Sequence, residues 1–254
     1  MNTDRPNSGI LVVTGASRGI GSAVARLGAA RGYAVCVNFR EQEREASALV
    51  NEINLAGGIA ISVQADVSVD SDVSRLFTTV DLSLGPVTAL VNNVGIIGGE
   101  RRVDEWDVDA LQKIWSTNVT SAFICSREAI RRMSTKYGGF GGAIVNISSL
   151  AGRNGGSSGR VHYSTSKGAI NTFTIGLARE VAAEGVRVNA IAPGLTNTEI
   201  HDAYGGTARI TRQTVGIPMG RPGTVQESAN AVIWLLSHEA SYITGTVLEL
   251  TGGK

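Results

Sequence analysis

Along the chain, short runs that are apolar almost throughout alternate with longer stretches that are apolar at every third or fourth position. The runs at 10–13, 33–39, 59–64, 89–91, 143–147 and 186–191 are of the first kind, the composition of strands covered on both faces. Helical composition follows the first run through Ser22-Ala23-Val24-Ala25-Arg26-Leu27. A polar helix is predicted over 43–56, stopped by Gly57-Gly58, and Val73, Leu76, Phe77 and Val80 mark the apolar stripe of a helix over 70–84. A longer helical region runs from 106 to about 133, interrupted near Asn118, and another spans 163–183. Strands alternating with helices of this length are joined by right-handed crossovers into a parallel sheet. Ligands of such sheets bind beyond the carboxyl ends of the strands, where the unusual polar residues of this chain fall.

The first run leads directly into Thr14-Gly15-Ala16-Ser17-Arg18-Gly19-Ile20-Gly21. A strand, a glycine turn and a helix in succession present free backbone N–H groups and a helix N-terminus to a phosphate. A side chain at Gly15, Gly19 or Gly21 would hold the backbone off a pyrophosphate, or the helix off the strand. The spacing is G-x-x-x-G-x-G rather than the commoner G-x-G-x-x-G, and a glycine-rich turn without a ligand is the competing reading.

Composition narrows the class. With 254 residues, 43% of them hydrophobic, the chain can bury one large core, and no Pro/Ser-rich linker or charge block divides it. A single domain over 1–254 is expected. The 23 basic and 22 acidic residues leave a formal net charge of +1, which points to neither nucleic acid nor an anionic membrane. Cys36 and Cys125 have no partner at metal-ligand spacing, so neither a disulfide framework nor a metal site is expected. Residues 1–9 contain no apolar run, and no apolar stretch approaches spanning length. A soluble, cytoplasmic protein is expected.

Tyr163 and Lys167 stand four apart in a predicted helix, hence on one face. A phenol is a poor acid-base group at neutral pH, with an unperturbed pKa of about 10, and a nearby cation favours the phenolate. Proton exchange with a substrate oxygen then becomes feasible. The alternative is a solvated surface pair. Ser149 ends a buried strand, where a hydroxyl can hold a carbonyl oxygen or serve as an ordinary turn serine. Ser148 points to the opposite face and is the second choice. Asn118, polar within an apolar helical stretch, caps a kink or binds a water.

With these residues in place, the sequence resembles a short-chain dehydrogenase/reductase of the glucose dehydrogenase or 3-oxoacyl-carrier-protein reductase type over nearly its whole length. The resemblance rests on the glycine motif, on Asp66 after the third strand, and on Asn92-Asn93-Val94-Gly95 where the family has Asn-Asn-Ala-Gly. It rests also on Asn118, Ser149, Tyr163 and Lys167 at the catalytic tetrad, and on Pro193-Gly194 with Thr196 and Thr198 in the nicotinamide-side loop. It implies a Rossmann fold: a doubly wound parallel α/β sheet of about seven strands with helices on both faces. By the same resemblance Tyr163 is general acid in reduction and base in oxidation. Lys167 lowers its pKa and binds the nicotinamide ribose, Ser149 holds the reacting oxygen, and Asn118 orders a water that leads protons to Lys167. The implied cofactor contacts are Gly15, Ser17, Arg18, Gly19, Ile20, Gly21, Phe39, Arg40, Asp66, Val67, Asn93, Val94, Gly95, Tyr163, Lys167, Pro193, Gly194, Thr196 and Thr198. Two departures stand out: Val94 replaces a small Ala beside the adenosine ribose, and the segment from Ser149 to Tyr163 is one residue longer than is commonest.

Further expectations follow. An enzyme using NAD is expected to place an acidic side chain at the end of the second strand. Here Phe39 stands there, followed by Arg40, with Arg18 in the glycine loop, so NADP(H) is preferred, with NAD(H) possible. Solvation of both arginines is the alternative. The polar stretch 195–215, with His201, Asp202, Tyr204, Gly205-Gly206, Arg209 and Arg212, suits a substrate lid or a surface insertion. With Arg153, Asn154 and His162 facing it, the pocket is expected to take a small carbonyl or alcohol substrate bearing polar groups. The resemblance implies a homotetramer, with Ala122, Phe123, Ala169, Ile170 and Phe173 at subunit contacts or in the core. A non-catalytic nucleotide-binding regulatory or scaffold protein is the main functional alternative, and a methyltransferase on a similar sheet a remote one.

Overall fold

The computed structural model of the protein describes residues 9–197 and 214–254. Seven strands form one parallel sheet in the order β3-β2-β1-β4-β5-β6-β7. They are β1 (Ile10–Val13), β2 (Ala34–Phe39), β3 (Ile59–Gln64), β4 (Ala89–Asn92), β5 (Gly142–Ile147), β6 (Val186–Pro193) and β7 (Val247–Leu250). The helices are α1 (Gly19–Ala30), α2 (Glu43–Leu55), α3 (Asp70–Ser83), α4 (Val108–Trp115), α5 (Ser121–Met133), α6 (Ala151–Asn154), α7 (Val161–Val181) and α8 (Val225–Leu236).

Strand alternation divides the core into two layers. Leu11 and Val13 of β1 point into the layer made with α1, α2 and α8, where Val24, Leu49 and Ile233 meet them. Ile10 and Val12 point the other way, into the layer made with α3, α5 and α7, among Phe77, Cys125 and Val181. The sheet is thus covered on both faces, and β1 and β4 read as continuous apolar runs for that reason. Strand order reverses between β1 and β4, and a crevice opens there at the carboxyl ends.

The long helical region from 106 is three pieces: α4, one turn of π-helix over Ser116–Thr120, and α5. The interruption expected near Asn118 is therefore a widened turn, a feature frequent at functional sites. At the strand ends, buried Asn92 donates to Asn146 Oδ1 at 2.9 Å and Ser126 Oγ at 3.0 Å, and Asn146 donates to Thr174 Oγ1 at 2.9 Å. This buried chain of polar groups ties β4 and β5 to α5 and α7. Of the residues expected at subunit contacts or in the core, Ala122 and Ile170 belong to the core, whereas exposed Phe123 stacks on Phe173 with centroids 3.9 Å apart. Cys36 and Cys125 are buried thiols, and burial pushes Cys36 up to about 12. Among the described residues no helix is long and apolar enough to cross a membrane.

Candidate active site

A cleft of about 690 Å³ runs along the crevice. One end is bounded by Arg18, Arg40 and Asp66, the other by Ser149, Tyr163, Lys167 and Thr196. Of the residues expected to contact a dinucleotide, Gly15, Ser17, Gly19, Ile20, Phe39, Val67, Asn93, Val94, Gly95, Pro193 and Gly194 also line it. Gly21 lies behind the wall, and Thr198 lies outside the described residues, as does most of the expected lid.

The glycine turn is held from behind by two asparagine amides. Asn93 Nδ2 donates to the carbonyls of Thr14 and Gly15, both at 2.9 Å. Asn38 Oδ1 accepts from Gly15 N at 3.1 Å, while its Nδ2 reaches the carbonyls of Val63 and Ala65 at 3.2 and 3.1 Å. Asn38 at the end of β2 escapes the sequence reading; a lone Asn in an otherwise apolar strand is the signal that could have found it. A Cβ at Gly21 would lie 2.6 Å from Asn93 Nδ2 and 2.8 Å from Gly15 O, so this position seats the helix against the turn. Gly19 is the opposite case. Its φ is +58° and its Cβ would meet nothing within 4 Å, because that direction is the open cleft. Helix α1 begins there without a side-chain cap or an acidic residue in its first turn. A bare helix N-terminus facing a cleft that a side chain would fill fits a dinucleotide pyrophosphate. Val94, the larger replacement, packs its Cγ2 against Gly15, 2.9 Å from where a Cβ would stand.

At the first end, Phe39 is buried and Arg40 turns outward, half exposed. Its guanidinium bonds Glu41 Oε1 through Nε at 2.9 Å and Nη2 at 2.6 Å, and Nη1 lies 3.7 Å from Asp66 Oδ2. Arg40 is thus paired rather than merely solvated. Asp66 Oδ1 closes a turn by accepting from Ser68 N and Oγ at 2.9 and 2.6 Å.

At the other end, α7 carries Tyr163 and Lys167 into the cleft, and Nζ lies 5.9 Å from the phenol ring centroid. Nζ donates to Ile147 O at 2.7 Å, and burial brings the ammonium down to about 8. Ser149 Oγ accepts from Ala151 N at 3.2 Å, the geometry of a turn serine. A hydroxyl that accepts there still has its hydrogen to donate. Ser148 also borders the cleft, but its hydroxyl is engaged by α7, 2.5 Å from Asn171 Oδ1 and 3.1 Å from Lys167 O. Asn118 does not line the cleft: its Oδ1 accepts from Ile96 N at 2.8 Å, and its Nδ2 donates to Ile96 O at 2.9 Å and Ser166 Oγ at 3.0 Å. Its amide clamps the segment after β4 onto α7.

Comparison with known proteins gives the family. The family model described as enoyl-(acyl carrier protein) reductase matches residues 15–254. The uncharacterized oxidoreductase YgfF of Escherichia coli (strain K12) is 47% identical over 245 residues, covering 96% of this chain and 99% of that protein. A crystal structure of a short chain dehydrogenase from Burkholderia cenocepacia J2315 in complex with NADP superposes with a TM-score of 0.88 at 30% identity, covering 98% of this chain and 99% of that one. The chain belongs to the short-chain dehydrogenase/reductase family. Another relative of this dehydrogenase/reductase, 3beta-hydroxysteroid dehydrogenase 1 of Eggerthella lenta, is 37% identical over 96% of this chain and 92% of its own.

Two residues expected at the substrate end of the dehydrogenase/reductase are elsewhere. Arg153 bonds Glu249 at 2.9 Å, and neither it nor His162 lines the cleft. His162 precedes Tyr163 by one residue, so the helix turns it about 100° away. It is buried against Trp106, ring centroids 4.0 Å apart, with Nε2 2.8 Å from Ile97 O. Only Asn154 of that trio lines the cleft, where the unforeseen Arg160 joins it. The hidden clamp gives a direct prediction. Asn38→Ala should lower stability by about 1–3 kcal/mol, since it takes the partner from the part-buried Gly15 N–H and from the carbonyls of buried Val63 and Ala65. It should also weaken NADPH binding, and urea titration with a fluorescence binding curve would read both. Unchanged values for both would contradict the clamp.

Proposed function

We propose that this short-chain dehydrogenase/reductase transfers a hydride between NADP(H) and a carbonyl compound or secondary alcohol, with Tyr163 as the acid/base. The observation that carries the reading is the buried Lys167 ammonium beside the Tyr163 ring in the cleft wall, one turn along α7. A bound nicotinamide supplies the hydride in reduction and takes it in oxidation. Tyr163 gives its phenolic proton to the carbonyl oxygen, or accepts one from the alcohol. Lys167 stabilises the phenolate by its charge, and desolvation strengthens that interaction. Ser149 donates its hydroxyl hydrogen to the same substrate oxygen. Asn118 acts as a positioning residue, holding Ile96 against the helix that carries Tyr163 and Lys167. A scaffold that only bound the nucleotide would have no use for a phenol placed beside a buried ammonium in the cleft wall.

NADP(H) is the preferred cofactor in this reading. Arg18 and Arg40 flank the first end of the cleft and the last residue of β2 is Phe39 rather than an acid, so a 2′-phosphate can take the place of exposed Glu41 on the Arg40 guanidinium. The substrate is a small polar carbonyl or alcohol, supported by Asn154, Ser157 and Arg160 in the wall. A steroid ketone is the second reading, favoured by Ile96, Ile97, Leu150 and Leu195 in the same wall and by the relative named for that activity. The dehydrogenase/reductase forms a homotetramer in the cytoplasm, using the face of α5 and α7 where exposed Phe123 stacks on half-buried Phe173. Light scattering at micromolar concentration should give four chains; a monomer mass would contradict it.

Replacing Tyr163 by Phe should lower turnover by at least about a hundredfold, the usual range for losing a general acid. NADPH should still bind the variant, and more tightly than NADH. Lys167→Ala should weaken both turnover and NADPH binding. Titration with both nucleotides and assays on polar and steroid ketones would check this. Substantial Tyr163→Phe activity would remove the assigned acid, and equal affinity for NADH would remove the cofactor preference.

A further inference from the structure

We propose that His162 is a positioning residue for substrate binding: it ties the cleft-wall residue Ile97 to the helix that carries Tyr163, so that wall and phenol keep one spacing around the carbonyl compound. This deepens the reading above and rests on Tyr163 being the acid/base.

The His162 ring is 6% exposed and lies behind the cleft wall. A backbone carbonyl only accepts, so in the 2.8 Å contact with Ile97 O the hydrogen belongs to Nε2. Burial pushes the imidazole down from its ordinary 6.5, so the ring is neutral at pH 7 and Nδ1 is bare. Nδ1 is buried and has no hydrogen-bond partner among the described residues. Such an orphaned acceptor costs stability. A phenyl ring would pack on Trp106 without that cost; what it lacks is the N–H that holds Ile97 O.

The bond secures a part of the wall that is built closely from both sides. Ile97 is 4% exposed and lines the cleft beside Ile96, whose two backbone polar groups are clamped by Asn118. Gly98 has a φ of +83°, and a Cβ there would lie 2.6 Å from Ile114 Cδ1 and 3.5 Å from His162 Cδ2. The chain therefore passes against His162 and α4 at a point where a side chain would not fit. Three residues on, Arg101 N donates to Gly159 O at 3.0 Å, and Trp106, stacked on His162, donates Nε1 to Arg101 O at 3.3 Å. The stretch from Ile96 to Trp106 is in this way folded onto the start of α7, with His162 as the contact made by the residue next to Tyr163.

The acid and its cation are anchored independently. Lys167 is held by Ile147 O of β5, and Asn118 bonds Ser166 on the same helix. Releasing Ile97 O would loosen the wall and leave phenol and ammonium in place. Ground state and transition state then lose the same binding, which raises KM and leaves kcat unchanged.

Two amides of different reach separate this role from packing alone. Counted in bonds from Cα, the Gln Nε2 stands as far out as the His Nε2, and the Asn Nδ2 only as far as the His Nδ1. His162→Gln can therefore reach Ile97 O, and His162→Asn cannot. In reduction of a ketone with NADPH, His162→Gln should keep KM within about twofold of the unaltered protein. His162→Asn should raise it about 3- to 10-fold, the net weight of one hydrogen bond, with kcat and NADPH affinity held within about twofold. His162→Phe should behave like His162→Asn, and serves in its place should that variant fail to fold. Equal KM in the Gln and Asn variants, or loss of kcat and NADPH affinity along with KM, would overturn the positioning role and leave carbonyl reduction standing. Reduction of no ketone by the unaltered protein would overturn both.

Discussion

The burial of one ammonium group governs the reaction end of this molecule. Lys167 sits inside the wall of the cleft and, among the described residues, its charge is answered by one backbone carbonyl, Ile147 O at the last residue of β5, and by the Tyr163 ring. Its surroundings are arranged to leave it room: a Cβ at Gly95 would come within 3.2 Å of Nζ. Burial lowers its pKa from the ordinary 10.5 to about 8, so the folded state holds the proton less tightly than the unfolded chain does. The consequence for stability is directional. Below about pH 8 the buried charge weakens the fold, and the penalty is relieved as pH rises toward 10.5. Stability is given up so that a cation stands, desolvated, beside a phenol.

The two ends of the cleft are fastened by the same device, a buried amide that satisfies backbone groups of a neighbouring loop. Asn38 and Asn93 hold the glycine turn from behind, and Asn118 holds both polar groups of Ile96. Each such amide would be costly if left half satisfied, so these contacts specify loop geometry rather than merely add energy. The loops that face a ligand are in this way fixed by residues that do not need to touch it.

Much of this was legible in the chain because it depends on local pattern. The runs at 10–13 and 89–91 are apolar at every position because both faces of the sheet are covered, and the four-residue step from Tyr163 to Lys167 needs only a helix. What the pattern misses is tertiary. α6 is a single turn, and β7 is half-buried along its length, so neither carries a clear period. The start of α8 was legible and overlooked: Thr224 and Glu227 form a capping box. His162 and Arg153 were expected at the pocket because they are near Tyr163 in sequence. A helix turns about 100° per residue, and an available carboxylate at Glu249 drew Arg153 away. Arg160 went unnoticed because its partner, Glu100, lies 60 residues earlier.

The most direct measurement is the pH dependence of kcat/KM for carbonyl reduction, which reports ionisations of the free enzyme. The buried Lys167 beside Tyr163 should give an alkaline limb beginning near pH 8, where the ammonium loses its proton. A profile flat to about pH 9.5, as expected for an unperturbed phenol acting without a buried cation, would contradict the account.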